Sequence, residues 1–282
     1  LALGVVGAAL LGACGDDDGG VKKVRLLTYS SFPTEGTSLN DALAEFTEET
    51  GIDVEIVVAG DAGTMVTKAV LTSGNPEGDV MWGVDNTNLS RALDADVFVP
   101  YEFKEGRAIA PDLSAMVPDG EVTPVDFGDV CINYDIAWFA ERGLEPPTTL
   151  DDLVDPQYRD LLTVEHPASS SPGLAFLLAT VDAFGPEGWQ SYWADLRANG
   201  VEVVDSWESA YYERFSGSSG AGPRPLVVSY GTSPPAEVLF ADPPRADAPT
   251  ASLPDTCFRQ VEFAGILRGT DHEDEAGQLM EF

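Results

Sequence analysis

Basic residues are scarce in this sequence: 15 lysines and arginines stand against 48 aspartates and glutamates, a formal net charge of −33 over 282 residues. That balance makes nucleic acid and anionic membrane surfaces poor partners, since both repel a polyanion, and it favours a cationic ligand. A solvated acidic surface that serves solubility accounts for the same charge, so charge alone selects no ligand. Histidine is rarer still, with His166 and His272 the two in the chain. They are too few and too poorly placed for a Ser-His-Asp set, and neither zinc-ligand spacing, a P-loop nor any other cofactor motif is present. Long apolar runs are missing too, because the stretch at residues 1–13 is too short to span a bilayer. What is there, 44% hydrophobic and 22% charged residues, is a soluble globular composition that can bury a core in one large domain or two of ordinary size.

The apolar run 1–13 is rich in Leu, Val, Ala and Gly and ends in LGAC at residues 11–14, a lipobox pattern. The small residues before Cys14 suit a signal peptidase, and Cys14 then becomes the lipidated first residue. GDDDGG at 15–20 follows as a flexible tether. The start at Leu, with no basic stretch before the run, reads as incomplete. The protein is therefore expected outside the cytoplasm, anchored to the outer face of the cytoplasmic membrane or in the periplasm.

From Val24 strand and helix signals alternate. VRLLTY, residues 53–59 and residues 78–84 read as strands, with helices over 39–50 and 64–71 and a short one after Asn86. This is a parallel α/β lobe, and its strand ends put Tyr29, Asp61 and Asp85 along one edge. Residues 122–134 read as a crossing between lobes, because a second α/β series follows. In that series HPASSSPG at 166–173 is a loop into a helix with Pro172 at its first position. A helix over 189–199 and a strand over 201–204 come next, and residues 257–263 form the return crossing. The expected division is a leader remnant at 1–13, a lipid-anchored linker at 14–23, a first lobe from 24–123 plus 241–282, and a hinge strand with second lobe at 124–240.

Residues 205–233 hold the densest set of aromatic, hydroxyl and turn residues. Asp205 and Glu208 form a capping-box spacing, so a helix is expected to start there. Trp207 and Tyr211 then share a face at i and i+4, and the buried run at 226–228 delivers Ser229, Tyr230 and Thr232 at a strand end. Strand ends are where open α/β sheets bind ligands. Ordinary core packing is the alternative for each aromatic taken singly.

These residues resemble the thiamine-binding substrate-binding lipoproteins of ABC importers, within the type II periplasmic-binding-protein fold. The resemblance spans residues 24–269 and is carried by TYSSF at 28–32, GVDNT at 83–87, PVDFGDVCINYD at 124–135, SSPGLAFLL at 170–178, SWESAY at 206–211 and VVSYGTSP at 227–234. It implies an α/β fold of two lobes joined by crossing hinge strands that close on thiamine or its phosphate esters. It also implies an ABC permease as membrane partner, a monomeric protein and no catalysis. Tyr29, Asp61, Ser170, Trp207 and Tyr230 fall where the family contacts its ligand, and Asp85, Ser171, Tyr211 and Thr232 lie beside them. Two positions depart from the pattern. Ala236 stands where the family has an aromatic shortly after TSP, and the chain ends at Phe282 before the segment that brings a late tryptophan over the ligand. The sequence is thus read as truncated at both ends, without the closing helices of its first lobe.

Thiamine's thiazolium suits the faces of Trp207 and Tyr230. Asp61 can offset the cationic charge or accept from the amino group, though a helix-capping acid is the plainer role. Ser170 and Ser171 at a helix start can take a hydroxyl or phosphate, or serve as caps. Ferric-ion binding on the same fold is the nearest rival, through the pair Tyr211 and Tyr212, and a thiamine-degrading enzyme with Cys131 as nucleophile is the second. Cys131 and Cys257 lie in the two crossings, which this fold places side by side, so in an oxidising compartment they are expected to form a disulfide. Two buried free thiols are the alternative.

Overall fold

A computed structural model of the protein describes residues 22–103, 110–117, 119–218 and 222–282. Cys14, its lipobox and the tether lie outside the described residues. Nine strands form one mixed sheet in the order β2-β1-β3-β9-β5-β8-β6-β7, with β4 also on β9. In chain order the strands are Lys22–Thr28 (β1), Ile52–Val58 (β2), Val80–Asp85 (β3), Phe98–Val99 (β4), Thr123–Asp135 (β5), Leu162–Glu165 (β6), Glu202–Val204 (β7), Leu226–Tyr230 (β8) and Thr250–Leu267 (β9).

The first half is parallel: β1 pairs with β2 and with β3. Val24 and Leu26 belong to a core with Phe46 of helix α1, Ser38–Thr50, whereas Leu27 joins Met65 and Val66 of α2, Ala62–Leu71, on the other face. Helices on both faces are what a strand that buries Val24 and Leu26 on one side and Leu27 on the other requires. α1 opens on a reciprocal Thr37–Asn40 box and closes at Gly51, whose φ of 71° suits a residue without Cβ. α3, Leu89–Asp94, and α4, Pro111–Ser114, complete this side before β5. The second half repeats the scheme after α5, Ile136–Arg142. β6 pairs in parallel with β7 and β8, and α6, Ser171–Ala198, packs Phe176, Tyr192 and Leu196 on Val164 and Val228. α6 breaks at Gly185, where φ is 69° and Pro186 follows, so the two helices expected from the sequence are in fact successive segments.

The halves are joined through β5 and β9, which run antiparallel from Thr123↔Ala264 to Asp135↔Thr250 with two bulges. The outer end of β9 continues onto β3 and that of β5 onto β8, which makes both strands crossings. At the second bulge, between Val130 and Ile132, Cys131 and Cys257 form a disulfide with their Cα atoms 4.2 Å apart, closing a loop of 126 residues.

The structure corrects several local expectations. α6 begins at Ser171, so Pro172 is its second residue. β4 and α7, Ser233–Leu239, are too short to announce themselves by periodicity. In the first half α8, Glu273–Glu281, buries Ala276 against the β1 face and pairs Glu275 with Lys22 at 2.8 Å. Among the described residues no helix is long and apolar enough to cross a membrane.

Candidate functional site

The C-terminal ends of the parallel strands meet the crossing strands in a cleft of about 340 Å³. Tyr29 follows β1, Asp126 and Phe127 come from β5, Tyr230 and Thr232 from the end of β8, Gln260 and Glu262 from β9, and Trp207 from the segment after β7. Four expected ligand residues, Tyr29, Trp207, Tyr230 and Thr232, therefore line one cavity. The Tyr29 ring packs close to Gly83, where φ is 109° and a Cβ would stand 2.3 Å from the ring. Glycine in GVDNT is thus the condition for placing Tyr29.

Trp207 is held from several sides, including the edge of Tyr212 at 5.4 Å. Its ring stacks on Tyr211 at 5.0 Å and 14°, its indole N–H donates to Ser229 Oγ at 2.9 Å, and Tyr230 is tilted across it at 6.4 Å. The helix that carries it differs from the expected one. Asp205 and Glu208 do not form a capping box; instead Ser206 Oγ accepts the N–H of Ser209 at 3.2 Å. The turn then widens over Ser209–Arg214, where the Phe215 N–H reaches back five residues to the Ala210 carbonyl at 2.9 Å. Such π-type turns occur often at functional sites. Tyr211 stands behind Trp207, buried, with its hydroxyl donated to Glu237 Oε1 at 2.9 Å. Burial and the Glu237 charge push this phenol well above its ordinary range, which opposes the phenolate an iron site needs.

Asp61, Asp85, Ser170 and Ser171 lie where the two halves touch. Asp61 caps α2 through the Ala62 N–H at 2.7 Å and also accepts the Trp207 backbone N–H at 3.3 Å. Burial raises its carboxyl, while those two backbone bonds pull the other way. Beside it the Gly63 N–H donates to the Ser169 carbonyl at 2.8 Å. Ser171 donates its hydroxyl to Asp85, whose other oxygen accepts the Thr87 N–H at 2.8 Å and so shapes the DNT turn. Ser170 is buried with no hydrogen-bond partner for its hydroxyl.

Four polar residues of this region are not among the site residues expected from the sequence. Glu165, at the end of β6, is fully buried and neither carboxylate oxygen has a partner, so burial pushes its carboxyl far up. Glu262 sits in the cleft floor, where it accepts the Tyr29 hydroxyl at 3.1 Å and a Gln260 N–H at 3.2 Å. Burial, and after it the charges of Asp126 and Asp85, raise Glu262 to about 8. Gln260 and Asp126 complete the floor. The sequence signal for Gln260 and Glu262 is polar residues alternating with Val261 and Phe263, and Asp126 and Glu165, on β5 and β6, have no such signal.

The thiamine-binding periplasmic protein of Brucella abortus is 25% identical over 242 residues, 86% of this chain and 68% of its own. That of Escherichia coli is 26% identical over 259 residues, 90% of this chain and 73% of its own. A periplasmic thiamin binding protein superposes with a TM-score of 0.76 at 22% identity, covering 92% of this chain and 77% of its own. Iron-bound HitA from Pseudomonas aeruginosa does so at 0.67 and 17% identity, with 93% and 80% covered. These likenesses agree with the two-lobed α/β architecture. The family model for bacterial extracellular solute-binding proteins matches residues 78–282, most of the chain, and the protein belongs to that family.

Proposed function

We propose that the protein captures thiamine outside the cytoplasm and hands it to the permease of an ABC importer, without chemistry of its own. The observation that carries this reading is the cleft itself: Trp207 and Tyr230 supply aromatic faces, Asp126 and Glu262 supply carboxylates, and none of the residues lining it is basic. A flat organic cation suits that combination, since aromatic faces attract cations by roughly 0.5–2 kcal/mol each and carboxylates add a charge-assisted contact. The names of the curated relatives point the same way. Phosphate esters of thiamine belong to the same reading, with Ser170 and Ser171 at the start of α6 as the candidates to receive the phosphate. Asp61, Asp85, Ser170 and Ser171 act at the contact between the halves, and Tyr211 acts by holding Trp207. The lobe boundaries at residues 123–124 and 240–241, a lipid anchor at Cys14 and a monomeric state complete the reading.

The Cys131–Cys257 bridge leaves neither sulfur free as a nucleophile, which argues against the degrading enzyme. Titration of the intact chain with thiamine, thiamine phosphate and Fe(III), followed by tryptophan emission, tests the proposal. Quenching by thiamine at micromolar concentration supports it, and a response to Fe(III) alone overturns it.

A further inference from the structure

Glu262 is the middle member of a row of three carboxylates on three adjacent strands. It pairs directly with Asp126 of β5 on one side and with Asp85 of β3 on the other. Residues directly opposite in antiparallel strands point to the same face with Cβ atoms about 4.5–5.5 Å apart, and like charges there are destabilising. None of the described groups facing Glu262 is cationic: Tyr29 from the end of β1, Tyr230 from β8, Asp126 and Asp85 are acids or neutral, and the bonds donated by Tyr29 and Gln260 offset the repulsion only in part. Arg259, two residues from Val261 on the same strand, is exposed and tied to Asp129 at 2.6 Å. A second observation points to a ligand. Gln260 is 2% exposed, lines the same cavity, donates its N–H to Glu262, and leaves its own carbonyl oxygen buried without a partner. Among the described residues the floor thus presents more acceptors than the Tyr29 and Gln260 donors complete, and no cation.

We propose that Glu262, Asp126 and Gln260, with Asp85 behind them, form a proton-exchanging seat for a cationic ligand that also carries an amino group. Without the cation Glu262 keeps its proton, which relieves its repulsion by Asp126 and Asp85. When the cation arrives, Glu262 releases that proton to solvent and the carboxylate so formed neutralises the ligand, while Gln260 accepts an N–H from it. Because β5 and β9 are the strands that join the halves, the exchange takes place at the hinge. The inference rests on the proposed capture of thiamine and adds to it the residues that choose a cation and a pH dependence.

The test is calorimetric titration of the intact chain with thiamine at about pH 7, in buffers of different ionisation enthalpy, together with affinities across the range of about pH 6 to 9. Since Glu262 is raised to about 8, the expected result is release of nearly one proton per thiamine, and affinity rising roughly tenfold per pH unit to about pH 8 and level above it. Glu262→Gln keeps an acceptor for Tyr29, and it should release no proton and flatten the profile. Asp126→Asn, at the exposed edge of the row, tests the same point without touching the buried position and should move the break to lower pH, because one of the charges that raises Glu262 is gone. Thiochrome, a neutral relative of thiamine, should bind without proton release. Thiamine binding with no proton released, or a pH break unchanged in Asp126→Asn, overturns this inference and leaves the proposed function standing. Failure of the unaltered protein to bind thiamine at every pH overturns both.

Discussion

The carboxylate of Asp61 accepts hydrogen bonds from two halves of the molecule at once, from Ala62 N at 2.7 Å in its own helix and from Trp207 N at 3.3 Å across the cleft. One side chain thereby fixes the start of α2 and the position of the aromatic that faces the cavity. Replacing Asp61 by alanine is expected to cost about 0.5–2 kcal/mol of stability through loss of the cap alone. Asparagine can still cap, so Asp61→Asn should recover most of that stability while weakening the tie to Trp207. Urea denaturation of both variants, with thiamine affinity measured alongside, separates the two roles. Equal stability of the two variants would remove capping from the account.

Trp207 should be the most costly single truncation in the cleft. Its ring is already ordered by Tyr211 and Ser229, so little freedom is lost when a flat ligand stacks on it. Trp207→Ala is expected to weaken thiamine by roughly 1–3 kcal/mol, combining lost stacking and lost burial. Trp207→Phe should retain part of that. Fluorescence from the remaining tryptophans or calorimetry gives the number, and unchanged affinity in the alanine variant would take Trp207 out of the site.

Gly83→Ala should damage both fold and site. A Cβ there stands 2.3 Å from the Tyr29 ring, and the φ of 109° is one that L side chains rarely adopt. Backbone strain of this kind costs on the order of 1–3 kcal/mol before the ring is moved. Thermal unfolding should show the loss, and the displaced Tyr29 should lower ligand affinity as well. A stable variant that binds normally would mean that Tyr29 can be relocated without consequence.

Reduction of the Cys131–Cys257 bridge should lower stability without abolishing the fold. The loop it closes is long, 126 residues, worth roughly 4–5 kcal/mol in the chain-entropy model before native strain is subtracted. The paired Cys131→Ser, Cys257→Ser variant, compared with the parent with and without reductant, measures it. Peptide mapping under non-reducing conditions should find the cross-link in protein from an oxidising compartment.

Glu262 also makes a prediction for the empty protein. Its folded-state carboxyl is raised to about 8, above the ordinary value near 4.3. Between those values the folded state binds more protons than the unfolded one, so the contribution of Glu262 to stability is present at low pH and is lost as pH rises through about 5 to 8. Denaturant midpoints should fall over that window in the parent and change less in Glu262→Gln. A midpoint that rises across the window in the parent, with no difference in the variant, would contradict the buried acid.

The alternation of strand and helix, the two crossing runs and the aromatic cluster around Trp207 were legible in the sequence because each rests on local pattern. VRLL, LVV and the glycine and proline punctuation declare their own environment, and the crossings stand out as long strand-like runs between two such series. The pairing of Cys131 with Cys257 followed once the crossings were placed together. The exact cap at Ser206 did not follow, since Asp205–Glu208 and Ser206–Ser209 offer the same backbone competing partners one residue apart, and the widened turn toward Phe215 decided between them. Nor did the acid row. Asp85, Asp126 and Glu262 are far apart in the chain, and nothing local distinguishes them from the other carboxylates of an acidic protein. Only the register of β3, β9 and β5 brings them face to face, and only burial gives that proximity an energetic consequence.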